Sequence, residues 1–380
     1  MILNEKKEKQ QKKIHILFFG MPPGNNLIDG YSKWFSPIIK NLKKNDRLNV
    51  YYINYNKILN EKFEILRFIL IPYLIYKLHK YKDEIDIVHV LRQNAWYYNI
   101  FYALKIKKNI TPLKIITVHD IYTAKGKVNF KIIKNIAHAD AIFCPSNYTA
   151  NDIRTILKIN KPVYVTYNPL DPSFYCMGTD DKLKMRKNIL KERSSRKVLL
   201  SIASEMPRKN FEKLLEVLFL FNTSMKEKIL LIKVGQFTKL RYKYINIAKK
   251  FGIENDILWI NYANEKDLLY LYNISDIFIT LSDVEGFCMP LIEAMACGLP
   301  IIGSKSSAIP EIVGNAGILV NNNDNKEIIE AINTLLYNID KRNEVIENGF
   351  NRIRAFHEQE ISRIYFESYL TALEKGLNVK

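Results

Sequence analysis

The chain is poor in the features that mark several broad protein classes. Its four cysteines, Cys144, Cys176, Cys288 and Cys297, form no CxxC pair and no metal-ligand spacing. That excludes a disulfide framework or zinc ribbon and fits free thiols in a reducing compartment. No run of about eighteen uncharged apolar residues occurs, so no transmembrane helix is expected. The N-terminus carries the polar charge run Asn4-Glu5-Lys6-Lys7-Glu8-Lys9-Gln10-Gln11-Lys12-Lys13. It shows no signal peptide, and a frayed tail over residues 1–13 is expected. The G-x-G-x-x-G spacing of dinucleotide-binding turns is missing. So is an Asp-x-Asp in the setting of a metal site. No carboxylate stands out as the nucleophile that a retaining glycosidase pair would need.

Acidic charge is scarce too, but only in one half. Residues 1–200 hold 36 Lys and Arg against 16 Asp and Glu, an excess of +20, whereas the remainder holds 21 against 23. Charge placed for solubility alone has no reason to segregate. An anionic partner is therefore expected for the first half: nucleic acid, an anionic membrane surface or an acidic acceptor. Within that half, residues 57–86 intersperse Lys57, Lys62, Arg67, Lys77, Lys80 and Lys82 with a strongly apolar, aromatic run. The stretch suits either adsorption to an anionic bilayer or a core helix kinked at Pro72, with burial preferred.

At 380 residues the chain suits two ordinary domains, and 48% hydrophobic with 25% charged residues is a globular balance. Short apolar runs alternate with longer helical patterns. Strands are expected at 14–19, 49–53, 85–90, 114–118, 141–144 and 163–166. After a break around Asn168-Pro169-Leu170-Asp171-Pro172 they resume at 197–202, 229–234, 257–260, 276–281, 300–303 and 317–320. Helical periodicity covers 31–43, 211–222, 242–251, 265–272, 291–296, 326–338 and 359–375. Near-continuous apolar strands separated by helices predict an α/β protein. Its parallel sheets, covered on both faces, would form two doubly wound domains facing a cleft.

The most informative segment is Asp283-Val284-Glu285-Gly286-Phe287-Cys288-Met289-Pro290-Leu291-Ile292-Glu293 and its continuation to Gly298-Leu299-Pro300. A strand, a glycine turn and a helix opening near Pro290 make an anion site, because free N–H groups and the helix dipole point outward there. Carboxylates at such a site would repel the anion unless they accept hydrogen bonds from hydroxyls. Sugar and ribose supply hydroxyls, so a phosphorylated sugar is the expected ligand. Ser204-Glu205-Met206-Pro207-Arg208-Lys209-Asn210 also follows a strand and precedes a helix. Thr117-Val118-His119-Asp120 ends a strand of the first half, facing the cleft.

These segments resemble the E-x7-E signature and the associated loops of retaining GT-B glycosyltransferases of family 4, the glycosyl transferases group 1 type. The resemblance implies two Rossmann-like domains: an acceptor domain over 1–178 and a nucleotide-sugar donor domain over 179–358. It further implies a last helix, 359–380, packing back toward the first domain. Arg208 and Lys209 would clamp the donor diphosphate, one by bidentate geometry and the other as a point charge. Glu285 would bind a donor-sugar hydroxyl, Glu293 the ribose, and the amides of Gly286, Phe287 and Cys288 the sugar and phosphate. His119 would contact donor or acceptor, although a histidine after a strand is also a common structural group. From the loop between Gly24 and Gly30 only Gly30 carries over. The family usually has glycine where Cys288 stands. Ser146 is expected to cap a helix, and Ala308-Ile309-Pro310-Glu311 resembles a further loop near the nucleotide.

The expected activity is transfer of a hexose-type sugar from a nucleotide-diphosphate donor to a glycan, lipid-linked or other acceptor. No cofactor or metal is expected, because Arg208 and Lys209 supply the charge. A cytoplasmic location is expected, with the cytoplasmic membrane face as a candidate surface. The alternatives are a phosphorylase or sugar-nucleotide epimerase on the same fold, and a non-catalytic basic membrane- or nucleic-acid-binding protein. No known nucleic-acid motif appears.

Overall fold

The computed structural model describes residues 13–20, 30–54, 85–91, 112–225 and 227–377. The tail 1–12, the loop 21–29 and most of the basic amphipathic stretch lie outside the described residues. The first sheet contains β1 (Ile14–Gly20), β2 (Leu48–Asn54), β3 (Ile87–Val90), β4 (Leu113–Thr117), β5 (Ala141–Cys144) and β6 (Val163–Val165). Its order is β2-β1-β3-β4-β5-β6, and every pairing is parallel. The second contains β7 (Val198–Ile202), β8 (Leu230–Val234), β9 (Ile257–Ile260), β10 (Ile277–Thr280), β11 (Ile301–Ser304) and β12 (Gly317–Val320). Its order is β12-β11-β10-β7-β8-β9, again parallel throughout. Each apolar run singled out in the sequence forms a strand, with ends displaced by no more than about two residues.

Successive side chains of a strand face opposite ways, and each sheet uses both faces. In the first, Ile16, Phe18, Ile87 and Phe143 pack on α1 (Gly30–Leu42) through Phe35 and Ile38. Leu17, Val88, Ile116 and Ile142 pack on the other side against Ile136, Ala150 and Ile153. The second sheet is covered likewise, by Leu214, Leu218 and Ile332 on one face and by Leu271, Leu291 and Ile312 on the other. Continuous apolar strands are what two covered faces demand.

Two helices carry no clear sequence signal. Thr179–Leu190 occupies the charged stretch between the halves, and only Leu190 of it is buried. Ile339–Arg352 follows directly on Asn325–Tyr337, with Asn338 ending one helix and capping the next by accepting from Lys341 N. The last helix, Glu358–Leu377, crosses back to the first sheet. There Ile361, Tyr365, Tyr369 and Ala372 join Phe18, Phe35 and Phe143. Beneath it the buried His89 bonds Tyr369 Oη through Nδ1 at 2.7 Å and Thr117 Oγ1 through Nε2 at 2.8 Å. Among the described residues no helix is long and apolar enough to cross a membrane.

Candidate active site

Open parallel sheets bind ligands beyond the carboxyl ends of their strands, where the strand order reverses. In the second sheet that point lies between β7 and β10, neighbours through Leu199 and Ile277. The chain leaving β7 forms the turn Pro207–Lys209, and Asn210, at φ +52°, redirects it into α2 (Phe211–Ser224). Asparagine tolerates this left-handed conformation better than most residues. The chain leaving β10 runs through Glu285 into α3 (Met289–Ala296). Asp283 N–H ties the two loops by donating to Arg208 O at 2.9 Å.

The sequence-predicted residues converge here. Lys209 Nζ donates to Glu285 Oε1 at 2.5 Å. Arg208 Nη1 donates to Val284 O at 2.6 Å and lies 3.8 Å from Glu285 Oε2. Its Nη2 reaches into the other half of the molecule, 3.5 Å from Asp120 Oδ2. Arg208 Nε is buried without a hydrogen-bond partner. Glu285 is only 6% exposed. Two cations and two carboxylates thus balance one another in a poorly hydrated space, where removing one partner would strand another. An arriving diphosphate would compete for both cations with better hydrogen-bonding geometry than the present contacts offer Arg208.

Gly286 marks where the halves touch. A Cβ there would sit 1.9 Å from His119 O, so no larger residue fits against the His119-Asp120 loop. Its own carbonyl accepts from Ser146 Oγ at 2.7 Å and Thr149 Oγ1 at 3.4 Å. Ser146 also caps Asn147–Thr155 by accepting from Thr149 N at 3.1 Å, the role its sequence context predicts. His119 is buried, and its Nε2 donates to Leu91 O at 3.0 Å. A carbonyl can only accept, so Nε2 carries the proton. Asp120 Oδ1 accepts from Tyr122 N at 3.0 Å, folding the loop on itself.

The remaining predicted residues are placed differently. The Phe287 side chain is buried in the core beside Phe356, with ring centroids 5.6 Å apart. Cys288 precedes α3 at φ +72°, a backbone region that explains why glycine is usual there. Burial pushes its thiol well above the usual range, so it stays protonated and a poor nucleophile. Glu293 Oε2 accepts from Tyr272 Oη at 2.6 Å. Burial, and then Glu293 itself, raises the Tyr272 hydroxyl far above its ordinary value, keeping it a donor. Gly30 is the first residue of α1.

Glu311 ends the segment that resembles a loop near the nucleotide, and here it bonds the first domain; Glu205 and Lys233 were given no role from the sequence. Glu311 Oε1 accepts from Asn147 N at 2.8 Å and Asn147 Nδ2 at 2.7 Å, while Oε2 accepts from Tyr148 N at 3.1 Å. A carboxylate of one half therefore caps a helix N-terminus of the other, where the dipole favours negative charge. Beyond β7, the buried Glu205 pairs with Arg241 and accepts from Thr238 N at 2.9 Å. The buried Lys233 donates to Ala203 O at 2.6 Å and Val234 O at 3.2 Å. Burial lowers its ammonium to about 7. A lysine within the otherwise apolar run Leu230-Leu231-Ile232-Lys233-Val234 was the available signal for it.

The fold is the GT-B arrangement of two doubly wound domains. Solved structures superpose over nearly the whole chain. Anabaena HepE in complex with UDP and glucose matches with a TM-score of 0.74 at 18% identity, covering 94% of this chain and all of that one. Sucrose-phosphate synthase from Thermosynechococcus elongatus gives 0.73 at 15% identity, covering 96% of this chain and all of that one. The family model for glycosyl transferases group 1 matches residues 184–352, and that for glycosyltransferase family 4 matches residues 33–174. The chain belongs to this family. Among curated relatives, N-acetyl-alpha-D-glucosaminyl L-malate synthase of Bacillus anthracis is 26% identical over 253 residues, 64% of this chain and 63% of that protein. O-antigen chain mannosyltransferase B of Escherichia coli is 32% identical over 139 residues, a third of each chain. The matched part thus spans less than two thirds of these relatives' own length.

Proposed function

We propose that this protein transfers a hexose-type sugar from a nucleotide-diphosphate donor to an acceptor hydroxyl, with retention at the anomeric carbon. The convergence of Arg208, Lys209 and Glu285 at the reversal of the second sheet, against His119 and Asp120 of the first domain, carries the reading. In it, Arg208 and Lys209 take the diphosphate and stabilise its charge as the bond from the anomeric carbon to the phosphate oxygen breaks. Glu285, released from Lys209, accepts from a donor-sugar hydroxyl, and Glu293, oriented by Tyr272, accepts from the ribose. The acceptor oxygen bonds the anomeric carbon on the face the phosphate leaves, and its proton passes to that phosphate. Relatives named as an N-acetyl-alpha-D-glucosaminyl L-malate synthase and a mannosyltransferase, together with a like-folded structure in complex with UDP and glucose, support a nucleotide-sugar donor.

Thermal unfolding with UDP-, GDP- and ADP-sugars identifies the donor, and nucleoside diphosphate release then reports turnover. Proton NMR of the product should show an α linkage from an α-linked donor. An inverted product would sink retention. Sugar 1-phosphate made from glycan and phosphate would point to a phosphorylase, and a donor converted to its epimer would point to an epimerase.

A further inference from the structure

The segment after His119 plays no part in the donor reading, yet it lies at the mouth of the site. Tyr122 and Val128 form an antiparallel bridge. Thr123 N–H donates to Lys127 O at 2.8 Å, and Gly126 N–H donates to Thr123 O at 2.9 Å. The resulting hairpin reaches across to the donor domain, where a Cβ on Gly126 would sit 3.6 Å from Arg208 Cβ. At φ +76°, Gly126 lets the tip turn without a side chain there. Lys125 and Lys127 flank it, both exposed, and neither is ion-paired among the described residues. The two carboxylates paired with Arg208 are already engaged: Asp120 with Tyr122 N and Arg208, Glu285 with Lys209 and Arg208. A donor diphosphate would occupy Arg208 and Lys209. Two exposed ammonium groups remain, flanking a tip that meets Arg208.

We infer that the hairpin Tyr122–Val128 binds an anionic group of the acceptor, a phosphate in particular, and so selects acceptors that are phosphorylated. Lysine suits this role, since its ammonium donates in several directions from a flexible stem and does not demand one phosphate orientation. The same contact brings the acceptor hydroxyl to the donor and gives the segregated basic charge a specific use. The inference rests on the donor reading, so its test separates the two.

Calorimetry first measures UDP, GDP and ADP binding to the wild-type protein and to the double variant Lys125→Gln, Lys127→Gln. With the tightest of these at saturation, inorganic phosphate, glucose 6-phosphate and glucose are then titrated. The expected result is nucleotide affinity equal in the two proteins within about twofold. Phosphate and glucose 6-phosphate should bind wild type, glucose should not, and the variant should lose at least about tenfold for both anions. Equal anion binding in variant and wild type overturns the inference, as does no anion binding to wild type. Absence of nucleotide binding to wild type instead strikes the donor reading. Flotation with phosphatidylglycerol vesicles distinguishes the phosphate's source. Loss of vesicles together with the small anions makes the acceptor phosphate lipid-borne, and loss of the small anions alone makes it that of a soluble ester.

Discussion

Lys209 and Glu285 hold each other in a space that water barely reaches, and the ammonium's strength there depends on that exclusion. Lys209→Ala removes a donor that matters more as the leaving diphosphate gains charge than in the bound donor. It should lower kcat by about 10²- to 10³-fold with a smaller change in KM. Steady-state transfer rates check this, and the wild-type rate should persist in EDTA because the charge comes from side chains. Cys288 offers a second test at this scale. A left-handed non-glycine residue costs on the order of 1–3 kcal/mol, and a β-branched side chain fits that region worst. Cys288→Val should therefore destabilise by about that amount in urea unfolding, whereas Cys288→Gly should be close to neutral. That Arg208, Lys209 and Glu285 belong to one site was legible because short motifs after two strands carry them. Their partners were not: Asp120 lies far from Arg208 in sequence and Tyr272 far from Glu293, and no local pattern encodes such pairings.

The elements show the same division. The strands were legible because burial on both faces leaves an uninterrupted apolar run. Thr179–Leu190 was not, since a helix that buries one leucine has almost no periodic signature. The helix Glu358–Leu377 was readable as a helix, but the group it rests on was not foreseeable. His89 lies inside a strand that otherwise reads as plain core. Burial, reinforced by His119, lowers its imidazole to about 3 from an unfolded value of about 6.5. Below 6.5 the unfolded chain takes up a proton that the folded one refuses, so stability falls as pH falls. The loss should reach about 1.4 kcal/mol per pH unit between 6.5 and 3 and be absent above that window. Urea midpoints across pH for wild type and His89→Gln check it, the variant showing a shallower slope.

At the scale of the molecule, a few polar contacts hold the two domains together across the site. Ser146 and Thr149 reach Gly286, Arg208 reaches Asp120, and Glu311 caps the helix Asn147–Thr155. A hydrogen bond to a carboxylate contributes about 1.5–3 kcal/mol when both groups are sequestered and less where water competes. Glu311 is partly exposed, so Glu311→Ala should loosen the closed arrangement without unfolding either domain. Small-angle scattering should show a larger radius of gyration in the free protein, recovered when donor is added. An unchanged radius would mean that the other contacts suffice. That the chain makes two facing domains was readable from its alternating pattern. The contacts that close them were not, because each joins residues more than eighty positions apart.

The return of the last helix to the first sheet has a consequence for the order of assembly. Tyr365 and Tyr369 complete a hydrophobic layer whose other members, Phe18, Phe35 and Phe143, emerge early in synthesis. A nascent chain usually folds its leading domain while the rest is still being made. Here the part of the leading sheet's face beside α1 stays uncovered until the helix Glu358–Leu377 has been made. The donor-side sheet has no such wait. The later-made half can therefore finish its core first, and the interval before that helix docks is when this protein most needs protection from aggregation.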